Sequence, residues 1–255
     1  ALPLLMARFP GRVSVDPFAA GARIPAFGAC GELLQTLAAM GAAAQVPIAE
    51  RLDDSLPIVR FFALHYFASF TVPEAIPRIL RRLHDEEQEI AAAAVNVLGR
   101  YRDLPAFRQV LAHLHARFAS RTPNARRHAA RLLSLFRDPS AVPLFIDVFE
   151  RKEKTFYDAA EEALAAITKQ RFGPNARKWS AWWEVHARSP RTEWLIEGLD
   201  AGDADLRRGA AQELRSLSGF DSGFDENAPR RARDEAKRKW VSWWVLQNGS
   251  GTRAR

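Results

Sequence analysis

Between Leu104 and Arg137 the sequence carries seven arginines (Arg108, Arg117, Arg121, Arg126, Arg127, Arg131 and Arg137), three histidines and no aspartate or glutamate. Guanidinium groups grip carboxylates and phosphates through paired, charge-assisted hydrogen bonds, so this run is a candidate anion-binding surface. Arg108, Arg117, Arg121, Arg127 and Arg131 are its candidate contact residues. Catalytic chemistry has fewer footholds. The histidines (His65, His84, His113, His115, His128 and His186) form no His-Glu-x-x-His and no His-Glu pair. His113 and His115 would point about 200° apart on a helix. Gly198–Gly202 lacks the Lys-Ser/Thr of a phosphate loop, and neither Ser134 nor Ser180 sits in a nucleophile elbow. Cys30 is the single cysteine, which excludes an intrachain disulfide and a cysteine-ligated metal site and reads as a small core residue. The expectation is a protein without catalytic residues, metal or cofactor.

The element that positions the arginines is legible. In Pro123–Phe136 the apolar residues Ala129, Leu132, Leu133 and Phe136 fall at i, i+3, i+4 and i+7, one face of an amphipathic helix, with Arg126, Arg127 and Arg131 opposite. Pro123 suits the first helical position and Thr122 its cap. Five of the apolar-Pro dipeptides each open a short apolar-periodic stretch: Leu2-Pro3, Val46-Pro47, Ile76-Pro77, Leu104-Pro105 and Val142-Pro143. Each reads as the start of a first helix, followed by a second: 31–40, 57–69, 88–98, 123–136 and 155–169. A Pro-less pair, about 192–199 and 203–217, makes six. No alternating β-branched runs compete, and spacings of this size are those of stacked helical repeats.

A gapless duplication aligns Leu144–Asn175 with Trp194–Asp225, pairing Phe145 with Leu195, Ala160 with Ala210, Leu164 with Leu214, Ile167 with Leu217 and Gly173 with Gly223. Each copy ends in the same device, Trp179-x-x-Trp182-Trp183 and Trp240-x-x-Trp243-Trp244. Positions i, i+3 and i+4 share a helix face, so each trio is expected to clamp onto the preceding pair. Eleven extra residues before Trp240 are expected to lengthen a loop or a helix start.

The pattern Asp53-Asp54-x-x-x-x-Val59-Arg60-x-x-Ala63, with Asp203-x-Asp205-Leu206-Arg207-Arg208-x-Ala210, resembles the HEAT-repeat family, specifically the bacterial short-HEAT group similar to phycobilisome-lyase repeats. The Trp-x-x-Trp-Trp ending resembles that of bacterial HEAT-repeat proteins. The resemblance covers most of residues 44–217 and little of 2–40. It implies an all-α, right-handed α-solenoid of about six antiparallel helix pairs, first helices outside and second helices lining the concave face. It implies no single activity. Arg60, Arg126 and Arg207 occupy the family's structural arginine position, where the side chain bridges to a neighbouring turn. Ile90-Ala91 departs from the pattern and leaves its repeat without that link.

With 255 residues, 47% apolar and 26% charged, the chain is long enough for a sizeable core. No stretch approaches the length needed to span a bilayer and the start lacks a secretory pattern, so a cytoplasmic location is expected. A net charge of +7 favours acidic partners. The domain reading is one HEAT-repeat solenoid over 1–247, with a divergent first repeat (1–43), core repeats (44–175) and a duplicated terminal unit (176–247), then a disordered tail, 248–255. The function reading is a non-catalytic scaffold that binds a protein with an acidic surface through the concave face and the basic patch. The alternatives are a nucleic-acid binder similar to the HEAT-like DNA glycosylases, with Asp158 and Glu161 as its only candidate carboxylates, a bilin lyase or chaperone subunit, and a self-assembling structural protein. The oligomeric state is left open.

Overall fold

The computed structural model describes residues 2–251, with side chains through Gln247. Among these residues every regular element is helical, and the chain divides into two compact units, 1–113 and 114–255.

The first unit holds α1 (Leu2–Met6), α2 (Glu32–Ala39), α3 (Ala42–Glu50), α4 (Pro57–Ser69), α5 (Ile76–Arg82), α6 (Gln88–Arg100) and the start of α7 (Arg108–Phe118). Helix α4 begins at Pro57, where the missing N–H has no partner to lose. Val59 to Leu64, Tyr66 and Phe67 are all buried along it, because α3, α6 and the turn Phe27–Ala29 cover it on several sides. Helix α6 packs against both α4 and α5. Four of the five Pro dipeptides lie at or one turn before a helix start. Val46-Pro47 does not: α3 begins at Ala42, where Gly41 adopts φ +53, and Pro47 lies inside it. The left-handed glycine sets the chain into the helix one turn early, and Val46 faces solvent at 70% exposure.

The second unit continues α7 and adds α8 (Pro123–Leu135), α9 (Val142–Glu150), α10 (Tyr157–Thr168), α11 (Ala176–His186), α12 (Arg191–Gly198), α13 (Ala204–Ser218) and α14 (Arg230–Gly251). Helix α10 packs on α9 and on α8, α11 on α9, and α12 on α13 and α14. The second helices α10 and α13 therefore meet their own first helices, and α8 and α10 meet as second helices of adjacent pairs. In chain order the helices form six pairs, with the tryptophan helices α11 and α14 after the last two.

Three expectations need revision here. Thr122 stands at the start of α8 but its side chain makes no capping bond. The duplicated positions Ile167 and Leu217 are not equivalent: Ile167 is fully buried beside the following pair, and Leu217, in the last pair among the described residues, is 63% exposed. The tail expected to be irregular from residue 248 begins inside α14, which runs on to Gly251; residues 252–255 lie outside the described residues. The eleven-residue insertion goes largely into the start of α14. Among the described residues no helix is long and apolar enough to cross a membrane.

Candidate functional site

The arginines separate into two groups by what their guanidinium groups touch. Arg60, on α4, is buried and fully engaged: Nε and Nη2 donate to the two carboxylate oxygens of Asp85 at 2.9 and 2.7 Å, and Nη1 donates to the carbonyls of Asp54 and Ser55 at 3.0 and 2.9 Å. Burial raises the Asp85 carboxyl, but Arg60, with help from the Glu87 amide and Arg82, more than offsets this and holds it below the usual carboxylate range. Arg207, on α13, repeats the arrangement with carbonyls alone. Its Nη1 donates to Ala201 and Gly202 at 2.7 and 2.9 Å, and Nε and Nη2 donate to Glu226 at 3.0 and 2.8 Å. Arg126, on α8, donates to Glu153 at 2.6 Å and lies 4.1 Å over the Phe156 ring and 5.1 Å from that of Phe118. Ile90, at the departing repeat, is buried, and Asp85 in its preceding turn receives Arg60 without a guanidinium being offered onward.

The second group is different. Among the described residues no carboxylate pairs with Arg108, Arg117, Arg121, Arg127 or Arg131. Arg108 is exposed at the start of α7, in the first unit. In the second unit Arg121, Arg127 and Arg131 are exposed and Arg117 is half-buried, its Nε carrying no hydrogen bond. Arg127 lies 5.4 Å from the same Phe156 ring that Arg126 covers, so one aromatic face steadies both. Burial, then Arg131 and Arg117, depress the pKa of His128, which places those two arginines around one imidazole. The structure thus gathers Arg117 and Arg131 about His128 and Arg127 beside Phe156. Asp158 and Glu161 share a hollow of about 220 Å³ with Glu162 and Arg171, with no aromatic ring in its wall.

The tryptophan trios divide their work. Trp179 is fully buried against Phe172, with ring centroids 4.7 Å apart, and donates Nε1–H to the Gly173 carbonyl at 2.9 Å. Trp182 stacks on His186 at 4.3 Å, meets Trp194 edge-on at 5.3 Å and donates to Glu197 at 3.3 Å; Trp183 also meets Trp194, at 5.8 Å. In the second trio Trp240 is fully buried against Phe220 at 4.9 Å, Trp243 stands 5.7 Å from Trp240, and Trp244 donates to Glu193 at 3.3 Å. The Nε1–H of Trp240 has no acceptor.

One cluster has no signal in the sequence patterns used above. Glu213, buried on α13, accepts Arg191 Nε at 2.7 Å, faces Arg137 Nη1 at 2.8 Å and Lys169 Nζ at 3.4 Å. Lys169 also donates to the Ala166 carbonyl at 2.6 Å, and Arg191 to that of Ile167. Burial pushes the Lys169 ammonium down to about 8, Glu213 only partly countering it. Burial raises Glu213 in turn, but Arg191, Lys169 and Arg137 outweigh it and hold the carboxyl below its ordinary value. The sequence trace of this cluster is Gly198 and Gly209. A Cβ on Gly198 would lie 2.6 Å from that of Lys169, and Gly209 faces the end of the same side chain.

The histidines and Cys30 are occupied locally. His65 Nε2 bonds the Pro25 carbonyl at 2.7 Å, His115 Nε2 meets Asp138 at 2.7 Å, and His186 contacts the Trp182 carbonyl and Glu197, both at 2.7 Å. Cys30 is fully buried, and burial raises its thiol pKa.

Residues 45–119 match the family model described as HEAT repeats. No curated protein matches the chain. Among solved structures, the complex of CpcE and CpcF of phycocyanin lyase from Nostoc sp. PCC7120 is similar at 18% identity, covering 77% of this chain and 86% of that one with a TM-score of 0.41. A crystal structure of an engineered protein is similar at 16% identity, covering 76% and 86%, with a TM-score of 0.35. The family match falls on α3 to α7, the stretch that holds the helix pairs and the Arg60 link of the first unit.

Proposed function

We propose that this chain is a non-catalytic HEAT-repeat scaffold whose exposed arginines, Arg117, Arg121, Arg127 and Arg131, bind a partner protein with an acidic surface. The observation that carries this reading is the contrast between arginines. Arg60, Arg126 and Arg207 each bond a carboxylate or backbone carbonyls within the fold, while these four, together with Arg108 in the first unit, have no carboxylate of their own. An aromatic face that limits the motion of Arg127 lowers the entropy lost when it binds. The non-catalytic part rests on the bonds that already occupy His65, His115, His186 and Cys30.

The test is binding of a fluorescent oligo-glutamate peptide and of a mixed-sequence DNA duplex, at about 50 and 200 mM salt, to the wild type and to Arg127→Ala/Arg131→Ala. Peptide binding that weakens with salt and falls about tenfold in the double variant supports the reading. Tighter binding to the duplex, weakened by the same substitutions, replaces it with a nucleic-acid function. No binding of either overturns the assignment of these arginines.

A further inference from the structure

The first unit contains a hollow of about 750 Å³ between α4, α6 and the N-terminal segment 17–26. Small side chains, Ala68 from α4 and Ala92 and Ala93 from α6, line it beside Phe61 and Leu64, so apolar surface is left uncovered in an open groove. One wall is fixed: His65 Nε2 bonds the Pro25 carbonyl and holds the N-terminal segment against α4. The two ends carry opposite charge. Glu89 lies in the first turn of α6 and Arg100 at its last residue, eleven positions on, about 16 Å along the axis. Neither has a hydrogen bond or ion pair to another described residue. Between them Asn96 also lines the hollow without a partner. Its side-chain amide offers one acceptor and two donors, the complement of a peptide group's N–H and C=O.

An extended chain advances about 3.3 Å per residue and covers 16 Å in about five residues. We propose that this groove docks an extended segment of about five residues from a partner protein, with a basic side chain at Glu89, an acidic one at Arg100 and small apolar residues or prolines over Ala68, Ala92 and Ala93. Asn96 reads a peptide bond near the middle. The site uses none of the arginines assigned above, so its failure and the failure of that assignment are seen in different variants.

The probes are fluorescein-labelled Lys-Ala-Pro-Val-Asp, Lys-Ala-Pro-Val-Lys and Asp-Ala-Pro-Val-Asp, titrated by anisotropy. The first is expected to bind saturably and several-fold more tightly than the other two. Asn96→Ala is expected to weaken it about tenfold, and Ala93→Trp, which puts an indole into the groove, to abolish it, with helical circular dichroism retained in both. Arg100→Glu is expected to shift the preference to Lys-Ala-Pro-Val-Lys, a gain that an unfolded variant cannot mimic. The absence of saturable binding of the first peptide up to about 1 mM, unchanged binding in folded Ala93→Trp, or unchanged preference in Arg100→Glu overturns the proposal.

Discussion

Replacing Glu213 by glutamine removes one negative charge from among three positive ones. In the wild type the carboxylate lies 2.7 Å from Arg191, 2.8 Å from Arg137 and 3.4 Å from Lys169, and Lys169 and Glu213 are both buried. The neutral amide leaves the cations with only the Ala166 and Ile167 carbonyls. Removing one partner of a buried ion pair costs about 3–5 kcal/mol, and the half-exposed Arg137 belongs at the low end of that scale. The expected loss at pH 7 is therefore about 3 kcal/mol, or about 6–12 °C in Tm for a protein of this size. The assay is convenient because all seven tryptophans lie between 179 and 244, so intrinsic fluorescence reports the second unit. The deficit should shrink as pH rises toward 8, because without the Glu213 charge, burial and the two arginines act unopposed on Lys169 and it gives up its proton at lower pH than in the wild type. The Lys169 pKa, about 8 when folded against an ordinary 10.5, means that below pH 8 folded and unfolded chains both carry this proton. Between pH 8 and 10.5 the unfolded chain holds the proton and the folded chain does not, so stability rises through that window, by up to about 3 kcal/mol from this group. Lys169→Met should recover part of the loss in the Glu213→Gln background. A Glu213→Gln protein melting within about 2 °C of the wild type at pH 7 would refute the account.

Other consequences are equally direct. Arg60→Ala should destabilise by about 3 kcal/mol in urea unfolding, and Arg60→Lys should recover little, because one ammonium cannot span Asp85 and two carbonyls. The Asp85 carboxyl is held low, so its contribution is present at neutral pH and is lost as pH falls through that lowered value; Arg207, bound only to carbonyls, should show no such acid dependence. Trp179→Phe should cost about 1–2 kcal/mol more than Trp240→Phe by denaturant unfolding, since the first leaves the Gly173 carbonyl without its donor and the second removes a buried N–H that has no acceptor. Equal losses would contradict this. Gly198→Ala should lower Tm by forcing a Cβ to 2.6 Å from that of Lys169, at about 1–3 kcal/mol, whereas Gly209→Ala, with its nearest neighbour at 3.8 Å, should be tolerated.

The helix pairs were legible because their apolar spacing and prolines act locally. Pro57–Ser69 opens and closes as its residues dictate, and the starts of α5, α6 and α9 follow the same logic. The exception at Val46-Pro47 shows a local rule losing to another, the left-handed Gly41 upstream. Charge partners were less legible. Glu213 lies 22 residues from Arg191 and 44 from Lys169, and nothing in local spacing announces a meeting made by α10, α12 and α13 packing together. The groove beside α6 was hidden for a related reason. An alanine run signals a helix of high propensity, while the space over it depends on a distant N-terminal segment.

Lys169 and Gly219 stand at the same place in the duplicated unit, each ending its helix in the left-handed region, at φ +60 and +68. Glycine is the residue this backbone favours, and the later copy has it. The earlier copy keeps a lysine there because that copy has a successor: its side chain crosses to Glu213 on the helix of the next pair. Among the described residues Gly219 has no further pair to reach. The two caps therefore differ in duty: at position 169 the cap carries a side chain that ties one helix pair to the next, and at 219 glycine closes its helix without such a tie among the described residues.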